Sequence, residues 1–514
     1  MEYAVQMKNI SKSFGSINAN SNVNIDIYKG EILALLGENG SGKTTLMNIL
    51  SGIYYPDSGQ IFVSGKEVSI SSPKEAFNHH IGMIHQHFKL VDVFSAVENT
   101  VLGIEDEKFD LKAATKRIED ICGRYGFEVN PQQKVYDMSV SQKQTLEIVK
   151  ALYRGADVLI LDEPTAVLTP QETQRLFNVI RSMKADGKSI VIITHKLNEV
   201  MEISDRVAVL RKGHYIGEVE TKDTDPQKLT DMMVGRAVSL NIRRTDPVNP
   251  VKRLEVNNLS VRNSEGVQVL KNISFTAYGG EILGIAGISG CGQKELLESI
   301  AGLQKAESGS SIKYYAPDGS VNEMIGLKPA EIMDMGVHLS FVPEDRLGMG
   351  LVGSMGMSDN MMLKSYRNSP GPFTDRSPSK KLAETVKEEL EVMTPSINTP
   401  VRKLSGGNVQ KVLVGREISA VPTVLMTAYA VRGLDINTSY TIYNLLAEQK
   451  EQGVAVIYVG EDLDVLIELC DRIIVLCGGE LNDVVDARTV SKEEIGYKMT
   501  YLTGRGSDPR EDKQ

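Results

Sequence analysis

Short aliphatic runs with no internal polar residue recur along the chain. Ile32-Leu-Ala-Leu-Leu36, Val158-Leu-Ile-Leu161 and Ile190-Val-Ile-Ile193 predict strands buried on both faces. Between the last two, Thr169 is placed to cap a helix and Pro170 to open it, which predicts a helix over 170–183. Buried strands separated by helices predict an α/β domain with a mainly parallel sheet. The pattern is written twice. Tyr28-Lys-Gly-Glu-Ile-Leu33 returns as Tyr278-Gly-Gly-Glu-Ile-Leu283, and Gly37, Gly40, Gly42 and Gly52 return as Gly287, Gly290, Gly292 and Gly302, 250 positions later. Asp205-Arg-Val-Ala-Val-Leu210 matches Asp471-Arg-Ile-Ile-Val-Leu476 at 266, so the second copy has gained residues in between. So long a period marks a duplicated domain, since solenoid repeats run about 20–50 residues.

The copies divide the chain into a first domain over 1–237, a linker over 238–252 where Pro247 and Pro250 bracket a polar stretch, a second domain over 253–502, and a polar tail over 503–514. Composition narrows the class. With 41% apolar and 24% charged residues, the chain is ordinary globular protein. No apolar run approaches the ~18–20 residues that span a bilayer, and Met1 to Asn9 lacks a basic-then-apolar export pattern. A net charge of −10 argues against nucleic acid as a partner. Four cysteines without a C-x-x-C pair fit a reducing, cytosolic compartment and argue against a zinc or disulfide framework.

Gly37-Glu38-Asn39-Gly40-Ser41-Gly42-Lys43-Thr44-Thr45 follows a predicted strand and opens a predicted helix, the context a P-loop requires. Glycines let successive backbone N–H groups face phosphate oxygens, and the helix N-terminus adds positive potential. Lys43 is expected to reach the β- and γ-phosphates and Thr44 to place its hydroxyl on Mg²⁺. Asp162-Glu163 at the end of a buried run supplies one carboxylate to hold Mg²⁺ and a second to deprotonate an attacking water.

Further motifs give the chain a specific resemblance. Tyr136-Asp-Met-Ser139-Val-Ser141-Gln142 resembles the signature segment of ATP-binding cassette (ABC) proteins, and Leu404-Ser405-Gly406-Gly407-Asn408 resembles the form used by tandem cassettes that energise sugar and nucleoside importers. Within the resemblance, which covers about residues 3–500, Gln86 fits the Q-loop, Thr194-His195 the histidine switch and Phe14 the aromatic that stacks on adenine. It implies two tandem P-loop domains, each a mainly parallel core sheet with an antiparallel β subdomain and a helical subdomain. It also implies ATP as ligand, Thr44, Asp162 and Gln86 as Mg²⁺ contacts, and Lys43, Gln86, Glu163 and His195 as the catalytic set.

Set beside the first copy, the second has lost this chemistry. Gln293 stands for Lys43, Lys294 for Thr44, Glu344 for Gln86, Ala428-Tyr429 for Asp162-Glu163, Gly460-Glu461 for Thr194-His195, and Asn263 or Ser264 for Phe14. Removing one pre-organised catalytic group commonly costs ~10²–10³ in rate, so these losses leave no hydrolytic site there. In ABC proteins each ATP lies between one cassette's P-loop and the other's signature. The resemblance therefore implies one hydrolytic site per chain, with the first P-loop completed by Ser405, Gly406, Gly407 and Asn408. The first copy's own signature carries Ser141 where the family has glycine, adding a Cβ where backbone should approach phosphate.

The resemblance also implies partners: two membrane permease subunits, reached from the cytoplasmic face, and indirectly an extracytoplasmic substrate-binding protein. Gln86-His87-Phe88 and Val97-Glu-Asn99 look like the nucleoside-importer branch, with monosaccharide import and a ribosome-bound translation factor as alternatives. His79, His80, His85 and His87 suit either a metal or, with Gln86 in the Q-loop, a polar surface near the permease. Met349, Met355, Met357, Met361 and Met362 suit core packing or an adaptable docking surface.

Overall fold

The computed structural model describes residues 2–502 apart from 16, 86–87, 105–109, 167, 236–240, 249, 264, 289, 342–346, 348–349, 367–373, 419–421, 433 and 461. It falls into two compact units, Met1–Val238 and Ser239–Gln514.

In the first unit β1 (Tyr3–Phe14), β2 (Ile17–Tyr28), β4 (Ser58–Val63) and β5 (Lys66–Val68) form an antiparallel sheet in the order β2-β1-β4-β5. A second sheet has the order β10-β9-β3-β8-β7-β6, built from β3 (Ile32–Leu36), β6 (Ile81–Ile84), β7 (Val158–Asp162), β8 (Ser189–Ile193), β9 (Arg206–Arg211) and β10 (His214–Glu220). Only the β9–β10 edge of this sheet is antiparallel. The three aliphatic runs are its centre, and every residue of β3, β7 and β8 is buried, as strands covered on both faces must be. The helix expected over 170–183 runs Pro170–Ala185 and opens on a capping box between Thr169 and Glu172.

The second unit repeats the plan. β11 (Val251–Arg262), β12 (Gln268–Gly279), β14 (Ser311–Tyr315) and β15 (Val321–Glu323) give the order β12-β11-β14-β15. β13 (Ile282–Gly287), β16 (Val337–Phe341), β17 (Val424–Ala428), β18 (Ala455–Val459), β19 (Arg472–Cys477) and β20 (Glu480–Asp486) give β16-β17-β18-β13-β19-β20. The same polar clamps start the central strand in each unit. The Asp205 carboxylate accepts the Ile32 N–H at 2.8 Å, as that of Asp471 accepts the Ile282 N–H at 2.8 Å. Arg206 pairs with Glu31, as Arg472 pairs with Glu281. These contacts fix where β3 and β13 begin, and so where the loop that follows each emerges.

Each unit also carries a helical lobe. In the first, helices Ala96–Val101, Leu111–Tyr125 and Val140–Tyr153 pack through Val97, Ala114, Ile118 and Val149. Two asparagines hold equivalent loops. Asn99 accepts from the Val91 N–H at 2.8 Å and returns its amide to the Val91 carbonyl at 3.0 Å, while Asn360 does the same to Val352 at 2.9 and 3.2 Å. Of the methionine cluster, Met357 and Met361 lie in the second unit's core and Met355 is exposed, whereas Met349 lies outside the described residues.

Residues 241–248 of the seam lie on the second unit. Ile242 is buried in its core, the Arg243 N–H donates to Asn444 at 2.9 Å, and Lys450 donates to the Thr245 carbonyl at 2.5 Å. Lys450 and Lys184 hold corresponding positions, on Asp471 and Asp205. Lys450 is the more deeply buried of the two, because this strap covers it. Among the described residues no helix is long and apolar enough to cross a membrane.

Candidate nucleotide site

The site grows from the end of β3. Its last residue leads into a loop that turns through Gly37, Gly40 and Gly42, each at positive φ. A Cβ at Gly42 would collide with the Ala19 carbonyl and the Asn20 amide, and one at Gly37 with the Leu210 carbonyl and Ser41 Oγ, so only glycine lets the loop close this tightly. The helix Lys43–Leu50 starts on Gly42 with no side-chain cap. Its first N–H groups are therefore left for an anion. Lys43 is 7% exposed and its Nζ donates to the carbonyls of Gly37 and Glu38 at 2.6 and 3.1 Å. Burial pushes its pKa down, opposed by the charges of Glu163, Asp162 and Glu38.

Opposite Lys43, β7 ends on Asp162, whose side chain bonds to Thr44. Burial first, and the adjacent Glu163 charge second, push the Asp162 carboxyl up to about 6, against Thr44 and Lys43. Glu163 takes a left-handed backbone at φ 48, costly for a side chain with a Cβ, and its N–H is held by the Ile193 carbonyl at 2.9 Å. That twist turns the carboxylate toward the end of β8. Glu163 Oε1 lies 2.9 Å from His195 Nδ1, while Oε2 is buried without a hydrogen-bond partner. The bond to Glu163 raises the His195 pKa, with burial opposing it.

The structure thus brings Lys43, Thr44, Asp162, Glu163 and His195 together at the carboxyl ends of parallel strands, where open α/β sheets bind ligands. Phe14 ends β1 and is exposed. Glu38 and Asn39 lie on the turn, Ser41 is buried with its Oγ unpartnered, and Thr45 follows Thr44 on the helix. Gln86 and His87 lie outside the described residues.

A family model described as ABC transporter matches residues 20–166 and 270–427. The chain belongs to the ABC transporter family. It is 41% identical over 504 residues to the nucleoside import ATP-binding protein NupA of Lactococcus lactis, covering 97% of this chain and 98% of that one. It is 41% identical over 509 residues to the guanosine import ATP-binding protein NupO of Bacillus subtilis, at 98% of each. The ribose import ATP-binding protein RbsA of Clostridium tetani is 38% identical over 503 residues, 96% of each.

In the second cassette the P-loop backbone persists without the chemistry. Gly290 and Gly292 keep the positive φ of Gly40 and Gly42, and Gln293 Nε2 donates to the Ile288 carbonyl at 3.2 Å where Lys43 reaches the Glu38 carbonyl at 3.1 Å. The clamp is retained and the charge is lost. Lys294 pairs with Glu298 at 3.7 Å. Tyr429 keeps the left-handed backbone of Glu163, at φ 56, with its N–H on the Val459 carbonyl at 3.0 Å. The strained turn has outlived the carboxylate. Glu344, Glu461 and Ser264 lie outside the described residues.

The signature segments differ in the same sense. Ser139 caps the helix Val140–Tyr153 in a box with Gln142, and the positions after it carry the side chains of Val140 and Ser141. Ser405 accepts from Asn408 Nδ2 at 2.8 Å, and Ser405, Gly406 and Gly407 are exposed. A Cβ at Gly407 would meet nothing within 4 Å, so the chain's own packing does not require glycine there.

Sequence reasoning missed Gln144 and Gln410. Each lies two residues beyond the signature. Gln144 donates to the Pro164 carbonyl and Gln410 to the Ala430 and Arg432 carbonyls, tying the signature helix to the turn after β7 in the first unit and after β17 in the second. Aligning the copies at 266 puts the two glutamines in register, which is the signal that would have found them.

Proposed function

We propose that this chain is the ATP-hydrolysing subunit of a nucleoside importer, docked at the cytoplasmic face on two membrane permease subunits that an extracytoplasmic binding protein supplies. The observation that carries the reading is the 41% identity to nucleoside and guanosine import ATP-binding proteins across almost all of each chain. Gln86-His87-Phe88 supports the same branch.

The first cassette's geometry suits the chemistry. Loop N–H groups and Lys43 bind the β- and γ-phosphates. The residues fit Mg²⁺: a buried carboxylate at Asp162, bonded to the Thr44 hydroxyl and not fully compensated by Lys43, is an oxygen pair of the kind Mg²⁺ takes while keeping its waters. Asp162 and Thr44 would hold the Mg²⁺, which would supply positive charge to offset that of the phosphates. Glu163 Oε2 is the acceptor left free for a proton from the attacking water, and His195, held by Oε1, is positioned to contact the γ-phosphate. In the reading that one site per chain hydrolyses ATP, Ser405, Gly406, Gly407 and Asn408 complete it, and the second P-loop, without Lys, Asp and Glu, does not turn over.

Co-purification of the tagged chain tests the partners, with two hydrophobic permease chains expected and ribosomes contradicting the reading. The complex, reconstituted in liposomes with its binding protein, is expected to raise its ATPase rate with nucleosides. Stimulation by ribose alone overturns the nucleoside reading.

A further inference from the structure

We infer that Tyr54 is a positioning residue of the adenine site, holding the Phe14 ring on which the base stacks. The inference rests on Phe14 as the adenine aromatic and goes beyond it. The two rings meet edge to face, with centroids 5.2 Å apart and planes at 70°, an arrangement aromatic quadrupoles favour. Both rings are exposed, so the contact is not core packing, and the Phe14 ring, with Lys12 Nζ 5.6 Å from its centroid, stays at the surface where a base could reach it.

Tyr54 is itself tied to the phosphate end of the site. The N–H groups of Ile53 and Tyr54 donate to the Asn48 carbonyl at 2.8 and 3.1 Å, and Asn48 lies on the helix that Lys43 begins. One rigid path thus runs from the P-loop helix through Tyr54 to Phe14. It fixes the spacing between the surfaces that take the triphosphate and the base.

The duplicated copy separates scaffold from function. Lys12 pairs with Asp57 at 2.8 Å, and Arg262 pairs with Glu307 at 2.7 Å at the corresponding positions. The Asp57 N–H bonds to Ser11 and the Glu307 N–H to Ser260, both at 2.8 Å, and Leu303 bonds back to Glu298 as Ile53 does to Asn48. These contacts recur in both copies, although the turn between the first two strands is longer in the second, 263–267 against 15–16. At the positions of the ring pair, Gln304 stands for Tyr54 and Asn263-Ser264 for Phe14. Both rings are absent from the copy that has lost Lys43, Asp162 and Glu163, as expected of a pair that serves the nucleotide rather than the fold.

The test is binding of ATP, and of tripolyphosphate as a ligand without a base, to the full chain and to Tyr54→Ala, Tyr54→Phe, Phe14→Ala and the double alanine variant, each checked for an unchanged thermal midpoint. Tyr54→Ala is expected to weaken ATP about three- to tenfold, the worth of an aromatic edge contact, and to leave tripolyphosphate unchanged. Tyr54→Phe is expected to bind as the parent, because the contact needs the ring and not the hydroxyl. In the Phe14→Ala background, Tyr54→Ala is expected to add nothing. Full ATP affinity in Tyr54→Ala, equal loss of tripolyphosphate, or additive losses in the double variant overturn the inference. Full ATP affinity in Phe14→Ala instead overturns the adenine assignment on which it rests.

Discussion

His195 Nδ1 lies 2.9 Å from Glu163 Oε1, so the residue assigned as base also holds the residue assigned to the γ-phosphate. Glu163 raises the His195 pKa above its ordinary 6.5. A raised value means that the protonated ring and its bond are fully present below 6.5 and are lost as pH rises through the higher folded value. In ¹³C-histidine spectra of the nucleotide-free chain, His195 is expected to titrate above 6.5. In Glu163→Gln its pKa is expected to fall, because burial, Lys196 and Lys43 all lower it. A parental His195 that titrates at or below 6.5 contradicts the contact.

The signature glycine separates stability from activity. Gly407 lies in the helix Gly406–Ile418, and a Cβ added to it would point into open space. Gly407→Ala is therefore expected to stabilise the helix by up to ~1 kcal/mol while, under the proposal that Ser405 to Asn408 complete the first P-loop, cutting ATPase activity tenfold or more. Ser141→Gly in the first cassette is expected to leave hydrolysis unchanged. Thermal midpoints and steady-state rates on the same samples check both.

Restoring one lost residue should not revive the second site. Gln293→Lys returns the P-loop cation, but Lys294 still replaces Thr44 and Ala428-Tyr429 still replaces Asp162-Glu163. Hydrolysis is expected to stay at the parental level in Gln293→Lys and to remain absent from the double variant Lys43→Ala/Gln293→Lys.

The strap on the second unit is expected to contribute to its stability. Ile242 is 5% exposed within that core, and Ile242→Ala should cost about 2–4 kcal/mol. Calorimetry is expected to show the second unit's transition falling while the first stays in place.

The legible parts of the fold are those written locally. Ile32–Leu36, Val158–Asp162 and Ser189–Ile193 are aliphatic throughout because both faces are covered, and Thr169-Pro170 carries its helix start in two adjacent residues. The P-loop is legible for the same reason, since its glycines answer to the loop's own backbone. Three features were not legible. A glutamate and a tyrosine give no sign of the left-handed backbone that Glu163 and Tyr429 adopt, which is imposed by carbonyls of neighbouring strands at Ile193 and Val459. Tyr54 reads as a loop residue until folding brings Phe14 to its edge. The seam reads as a tether because its polar composition and prolines dominate, while the groups that dock it, Asn444, Lys450 and Ile467, lie some 200 residues on.

One hydrolytic site per chain is the central claim, and the ATPase rates of Glu163→Gln and Tyr429→Ala, corresponding positions in the two cassettes, test it most directly. Glu163→Gln is expected to lose ~10²–10³ in rate while retaining bound ATP, and Tyr429→Ala to hydrolyse as the parent does. Parental hydrolysis in Glu163→Gln, or an equal loss in Tyr429→Ala, would contradict the account.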